Sequence, residues 1–160
     1  MTRLTVRRIA WIAAGVWMAL IFAGSTDLLA SNHTSRFLEP LLRWLIPGID
    51  ARTIGTLQFV VRKFGHAFEY GVLALLTWHA LQPPDAPSDP PVWSPRSAGL
   101  AWTLATSYAL TDEFHQSFVP SRDGHLRDVV IDALGAASAL LMLWIWIQWR
   151  GRIHRQRTLP

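Results

Sequence analysis

Along the chain, apolar stretches alternate with short polar clusters, and the first such stretch, residues 9–24, carries no charge and follows Arg3, Arg7 and Arg8. A helix continued to about residue 30 is long enough to cross a hydrocarbon core, which takes about 20 residues. A cleaved signal peptide is the competing reading, but the run through Leu28, Leu29 and Ala30 lacks a clean small-x-small cleavage site, so a retained anchor over 9–30 is expected. A second segment, 64–82, is apolar except for His66, Glu69 and His79. The third, 97–115, runs into Asp112 and Glu113, and the fourth, 129–149, takes in Asp132 and ends before Arg150. These three reach membrane length only by including polar residues at one end. A charged side chain at the bilayer centre costs roughly 2.5–3.5 kcal/mol on insertion scales and less near the interface, so those ends are expected to lie shallow or to face the bundle.

Between the first two segments, residues 39–46 predict a short interfacial helix begun by Pro40, with Leu41, Leu42, Trp44, Leu45 and Ile46 beside Arg36 and Arg43. Pro47 and Gly48 stop it. Residues 82–95 gather most of the prolines with Asp85 and Asp89, a composition that favours an irregular loop over a further domain. The expected architecture is therefore all-α: one domain over 1–160, a four-helix transmembrane bundle with a short interfacial helix in the first external loop.

Composition sharpens this. Only 16% of the residues are charged and there are nine tryptophans, a mixture unusual for a soluble domain. Without cysteine there is no disulfide framework and no thiol chemistry. The net charge of +4 does not point to nucleic acid, because the basic residues sit at the chain ends and beside apolar runs; anionic lipid headgroups are the simpler partner. Arg3, Arg7 and Arg8 at one end and Arg150, Arg152, Arg155 and Arg157 at the other predict an inner-membrane protein with both termini cytoplasmic. That orientation requires an even number of crossings, which four satisfies. Arg36, Arg43, Arg52, Arg62 and Lys63 weaken the bias, so an inverted orientation stays open.

With four crossings, Lys63, His66, Glu69 and Tyr70 share one depth with Asp112, Glu113, His115 and Gln116, and with Arg122, His125, Asp128 and Asp132. Local spacing agrees: His66 with Tyr70, Asp112 with Gln116, and His125 with Asp128 and Asp132 fall on shared helical faces. The bland reading is that helix ends are ordinarily polar and that Asp112 or Asp132 only caps a segment. Against it, acids inside the last turns of short apolar segments need partners, and Arg122, Lys63 and the histidines are at hand. His66, Glu69, Asp112, His115, His125 and Asp128 offer metal-ligand atoms, but their spacing fits no standard zinc motif, so neither metal nor other cofactor is expected. His33, His79 and His154 read as incidental.

The strings Arg62-Lys63-Phe64-Gly65-His66-Ala67-Phe68-Glu69-Tyr70, Thr111-Asp112-Glu113-Phe114-His115-Gln116 continuing to Arg122, and Arg127-Asp128 continuing through Asp132 to Gly135 together resemble the VanZ-like family of bacterial membrane proteins. The resemblance covers most of the chain between Lys63 and Gly135. It carries over Lys63, His66 and Tyr70, then Asp112, Glu113, Gln116 and Arg122, then Asp128 and Gly135. Asp132 departs from it, standing where relatives usually have asparagine. The resemblance implies a multi-pass protein of the bacterial inner membrane, and its named member is associated with reduced susceptibility to teicoplanin.

Three functions compete on these residues. An outward-facing polar pocket can bind an anionic or sugar-bearing envelope lipid, such as a prenyl phosphate or a lipid-linked cell-wall precursor, with Lys63 and Arg122 on phosphate. Tyr70, Gln116 and His66 would complete the hydrogen bonds, and the carboxylates, Asp132 included, would orient Arg122 or sugar hydroxyls. A membrane enzyme can instead transfer or hydrolyse a lipid-linked phosphate or glycosyl group, with His66 or Glu113 as base and Asp112 or Asp128 as its partner or as acid, although no serine or cysteine nucleophile signature accompanies them. The third is a structural assembly subunit whose polar cluster locks helix packing.

Overall fold

The structure, a computed structural model, describes residues 3–26, 31–83, 92–120 and 124–157, with the side chains of 3–4, 31–37 and 155–157 left aside. These residues are all-α and form five helices: α1 (Arg3–Ser25), α2 (Ser31–Leu45), α3 (Ala51–Ala80), α4 (Pro95–Gln116) and α5 (Leu126–Arg157). Two of them contain stretches long and apolar enough to cross a membrane, Thr5–Ser25 in α1 and Leu126–His154 in α5. α3 and α4 have the length but not the composition, because Lys63, His66, Glu69 and His79 interrupt the first, and Asp112 and Glu113 with several Ser and Thr interrupt the second.

The helices begin and end where local chemistry directs. Asp50 caps α3, accepting hydrogen bonds from the Thr53 amide at 2.9 Å and its hydroxyl at 2.7 Å. Those bonds, the hydroxyl's foremost, hold the Asp50 carboxyl below its ordinary range. Ser94 caps α4 and Pro95 opens it. α3 thus starts at Ala51 rather than at Phe64, since a strong cap lies well upstream of the apolar run that defined the predicted segment. α2 also differs from the expected 39–46 helix. It begins at Ser31 and keeps Pro40 inside rather than at its start. A short amphipathic helix tolerates the one backbone bond that proline removes, and an Arg43–Glu39 pair at 2.9 Å bridges the next turn. Gly48, at φ 89°, lies in the turn beyond.

Four helices alternate in direction. The Arg7 guanidinium donates to the Ala80 carbonyl at 3.1 Å and the Trp17 indole to the Glu69 carbonyl at 2.9 Å, so α1 runs antiparallel to α3. Tyr108 donates its hydroxyl to the Met18 carbonyl at 2.7 Å, which puts α4 parallel to α1. On the far side the Trp102 indole reaches the Ala133 carbonyl of α5 at 3.0 Å. The core between them is rich in small residues, Ala10 and Ala14 on α1, Ala74 on α3, Ala101, Ala105 and Ala109 on α4, and Ala136 and Ala139 on α5, packed with the larger Ile21, Tyr70, Leu73, Trp78, Leu140 and Ile147. Large apolar side chains instead point outward, among them Ile12, Val16 and Leu20 on α1, Phe64 and Phe68 on α3, Leu110 and Phe114 on α4, and Leu134, Leu141 and Met142 on α5.

α3 and α5 pack most extensively, and they touch backbone to backbone. A Cβ built on Gly135 would stand 2.6 Å from the Ala67 Cα and nearer still to its carbonyl oxygen. One turn on, a Cβ at Gly71 would meet the Ala139 Cβ at 3.3 Å. Gly135→Ala should therefore force the helices apart and lower stability in detergent by about 1–3 kcal/mol, the usual cost of overpacking. Gly15→Ala, where a Cβ meets nothing within 4 Å, should be neutral or stabilising by up to about 1 kcal/mol. Thermal unfolding followed by circular dichroism reads both; equal melting temperatures for the two variants would refute the close contact.

Candidate functional site

The parallel run of α3 and α5 sets two charged rungs in register. Lys63 on α3 forms an ion pair with Asp128 on α5, both mostly buried. One turn further in, a ring nitrogen of His66 lies 3.6 Å from a carboxylate oxygen of Asp132, whose side chain is 1% exposed. The Gly135–Ala67 contact lies just below, so these side chains meet because the backbones beneath them do.

α4 brings its C-terminal turns to the same level. Its alanine stripe ends in Asp112, Glu113 and Gln116, all buried. One oxygen of Glu113 accepts the His125 backbone N–H at 2.8 Å, which ties the loop before α5 to the end of α4. Gly124 lies hard against this turn; a Cβ there would be 3.0 Å from the Ser117 amide nitrogen and closer to the Glu113 carbonyl. On the α1 side, one oxygen of Asp112 accepts from the Ser25 hydroxyl at 2.8 Å and from the Gln116 amide at 2.9 Å. The Gln116 amide also reaches the Ser25 oxygen at 3.2 Å, closing a three-member ring.

Eight of the predicted residues therefore gather: Lys63, His66, Tyr70, Asp112, Glu113, Gln116, Asp128 and Asp132. Tyr70 is fully buried beside them, with its ring 6.4 Å from that of Tyr108. Arg122 lies outside the described residues. Two candidates, His115 and His125, sit differently. His115 turns toward α1, its ring 4.7 Å from the Phe22 ring, and His125 contributes only its backbone, the side chain being exposed. Glu69 is half-buried, its carbonyl serves the Trp17 indole, and its carboxylate lies close enough to act electrostatically on Asp132. His79 and His154 are exposed, and the His33 side chain lies outside the described residues. Ser25 was not foreseen. Its signal in the sequence is its place on the Ala14 and Ile21 face of α1, the face that packs inward.

The chamber has an excess of acid. Asp112, Glu113, Asp128 and Asp132 are all buried, against one lysine among the described residues. Several acceptors have no hydrogen-bond partner among the described residues: one oxygen each of Asp112 and Glu113, and both of Asp132. Buried acceptors without donors are expensive, so the arrangement suits something that brings donors or positive charge. Oxygens and a ring nitrogen of His66, Glu113 and Asp132 lie within 4.8 Å of one another, a set with metal-ligand chemistry. This trio differs from the ligand candidates read from the sequence, which included neither Glu113 nor Asp132, because linear spacing does not show which helix faces meet.

The sequence model of the VanZ/LLP1 family matches residues 10–147. The chain belongs to the VanZ/LLP1 family. No curated protein and no solved structure matches it. The family match reaches from α1 to α5, so it takes in every described residue of the chamber.

The Lys63–Asp128 pair gives the chamber a direct energetic test. Breaking a buried pair costs about 3–5 kcal/mol because the remaining charge is stranded, whereas replacing both members by apolar groups is often near neutral. Lys63→Met and Asp128→Leu should each be strongly destabilising alone, and the double variant should recover most of the loss. Denaturant melts of the four proteins form the cycle; additive losses would remove the pair from its structural role.

Proposed function

We propose that this VanZ/LLP1 protein is a multi-pass inner-membrane protein whose polar chamber binds the headgroup of an anionic or sugar-bearing envelope lipid at the outer face. The observation that carries the reading is the inverted distribution of side chains: buried acids and a lysine at the centre, small residues at the helix contacts, and large apolar groups such as Phe64, Phe114 and Leu134 facing out. Water-soluble domains rarely expose contiguous apolar surface on that scale, and a bilayer would cover it. Small residues at helix contacts are also what packing within lipid favours, where apolar burial offers no net drive. In this reading α1, α3, α4 and α5 all cross. α3 and α4 do so by turning their polar residues into the bundle, and both termini lie in the cytoplasm beside their arginines.

α2 then lies in the outer interface, its exposed Leu41, Trp44 and Leu45 in the headgroup boundary. A lipid headgroup entering the chamber meets unbonded oxygens of Asp112 and Glu113, which suit sugar hydroxyls, and the Lys63 ammonium, which has N–H donors beyond the one given to Asp128. Arg122 is assigned to phosphate, where a planar guanidinium binds two oxygens at once. A prenyl phosphate or a lipid-linked cell-wall precursor has this chemistry. Binding such a precursor is the route by which a protein of this kind would influence teicoplanin susceptibility.

A catalytic reading is favoured by one detail, the Glu113 carboxylate, which the His125 N–H holds by one oxygen while the other accepts no bond among the described residues. A fixed carboxylate with a free oxygen is arranged as a general base. Incubation with a defined lipid-linked phosphate or glycoside decides it: product formed by the wild type and lost in Glu113→Gln supports transfer or hydrolysis, and intact substrate excludes it.

Two measurements test the main reading. In this cysteine-free chain, an introduced Ser121→Cys should react with an impermeant maleimide in intact cells and Ser88→Cys should not; the reverse pattern inverts the topology. In nanodiscs, the protein should bind a fluorescent prenyl phosphate saturably, and Arg122→Gln should weaken binding about tenfold, equivalent to roughly 1.4 kcal/mol. Partitioning that never saturates and ignores the substitution would end the lipid assignment.

A further inference from the structure

Asp132 is an unusual group. It lies on α5 in the interior of the bundle, 1% exposed, and neither of its oxygens accepts a hydrogen bond among the described residues. Glu113 on α4 is 4% exposed and has one oxygen in the same condition, the other being held by the His125 N–H at 2.8 Å. With His66 on α3, these groups bring a ring nitrogen and two carboxylate oxygens to within 4.8 Å of one another. His66 Nδ1 lies 3.6 Å from an Asp132 carboxylate oxygen.

We infer that His66, Glu113 and Asp132 form a binding site for a divalent transition-metal ion, with Zn2+ and Mn2+ the best-matched species. Ligand atoms about 2.0–2.2 Å from a common ion stand roughly 3–3.6 Å apart, so the His66–Asp132 pair already has ligand spacing and Glu113 needs only a small side-chain adjustment. Charge agrees as well, since two carboxylates and a neutral imidazole offset a divalent ion, while the other buried acids are engaged elsewhere: Asp128 by Lys63, and one oxygen of Asp112 by Ser25 and Gln116. One nitrogen and two oxygens favour a borderline ion over one that demands thiolate. The His125 N–H on Glu113 is the kind of outer contact that fixes a ligand's orientation. Three protein ligands leave coordination positions open, as in metal sites that bind an exogenous oxygen.

The site lies within the chamber to which lipid binding is assigned, and it gives that assignment a physical basis. A phosphate-bearing headgroup is repelled by buried carboxylates, and an ion with open positions would receive its oxygen. Metal binding itself does not depend on that reading, since the three side chains hold the ion without lipid. Because the ligands come from α3, α4 and α5, the ion would also tie three helices together, and stability reports its binding by mass action.

The full-length protein in detergent, stripped with chelator and dialysed free of it, is titrated with Zn2+ and with Mn2+, no prenyl lipid being present. Bound metal is measured by plasma mass spectrometry and stability by thermal melting, and Co2+ serves as a visible-absorption probe of a mixed nitrogen and oxygen site. One ion per chain is expected, with a raised melting temperature. Affinity should fall at least tenfold in both Asp132→Asn and Glu113→Gln, and His79→Ala, which alters an exposed imidazole near the other end of α3, should keep wild-type binding. Asp132→Asn removes a buried charge without changing shape, so it should fold; if it does not, Glu113→Gln and the Co2+ spectrum of the wild type carry the test. Metal content at buffer background, or equal affinity in the wild type and the ligand variants, overturns the site. In nanodiscs, a protein that holds one ion but binds no prenyl phosphate would sink only the lipid reading, and one that binds prenyl phosphate with no ion would sink only the metal.

Discussion

Where the Ala67 carbonyl meets α5, the space that a Cβ at Gly135 would need is already filled, and this contact sets the register of two long helices. α3 and α5 run parallel from it. Lys63 is thereby opposite Asp128, and His66 opposite Asp132, one turn apart on the same two faces. A side chain at 135 would separate the backbones and pull both rungs beyond contact. The alanines at 136 and 139 continue the same close surface toward the other end of the bundle.

The second constraint is electrostatic. Small residues let the helices approach, but the approach also buries Asp112, Glu113, Asp128 and Asp132 in one place. Lysine offsets one acid; a hydroxyl and an amide serve another; a backbone N–H serves a third. Asp132 retains no hydrogen bond among the described residues. Folding around such a group is favourable where a cation, a proton or a ligand completes it. The lipid and metal assignments both start from the carboxylate oxygens that accept no hydrogen bond among the described residues.

Much of this was legible in the sequence. The apolar runs gave the helices, and the polar residues that interrupted them, Lys63, His66, Asp112, Glu113, Asp128 and Asp132, are those that converge, because placing them in an apolar segment requires an inward face. What the sequence did not yield follows from geometry between helices. Ser25 resembles any serine near a helix end until α1 is seen against α4, and His115 and His125 look like site residues until their side chains turn toward Phe22 and toward the exterior. The early start of α3 at Ala51 came from a cap, Asp50, that apolar periodicity alone does not weigh. The start of α2 at Ser31 and its interior Pro40 depart from the rule that proline opens a helix, a preference rather than a requirement.

The α3–α5 register is the claim on which the chamber depends, and a disulfide tests it in the native membrane. A Cβ at Gly71 stands 3.3 Å from that of Ala139, close to the separation of about 3.5–4.5 Å that a disulfide spans. The double variant Gly71→Cys with Ala139→Cys, oxidised in membranes and assayed by loss of maleimide-reactive thiol, should cross-link nearly completely. The pair one turn out of register, Gly71→Cys with Leu143→Cys, should stay reduced. Cross-linking of the second pair in preference to the first would contradict the register, and with it the meeting of Lys63 with Asp128 and of His66 with Asp132.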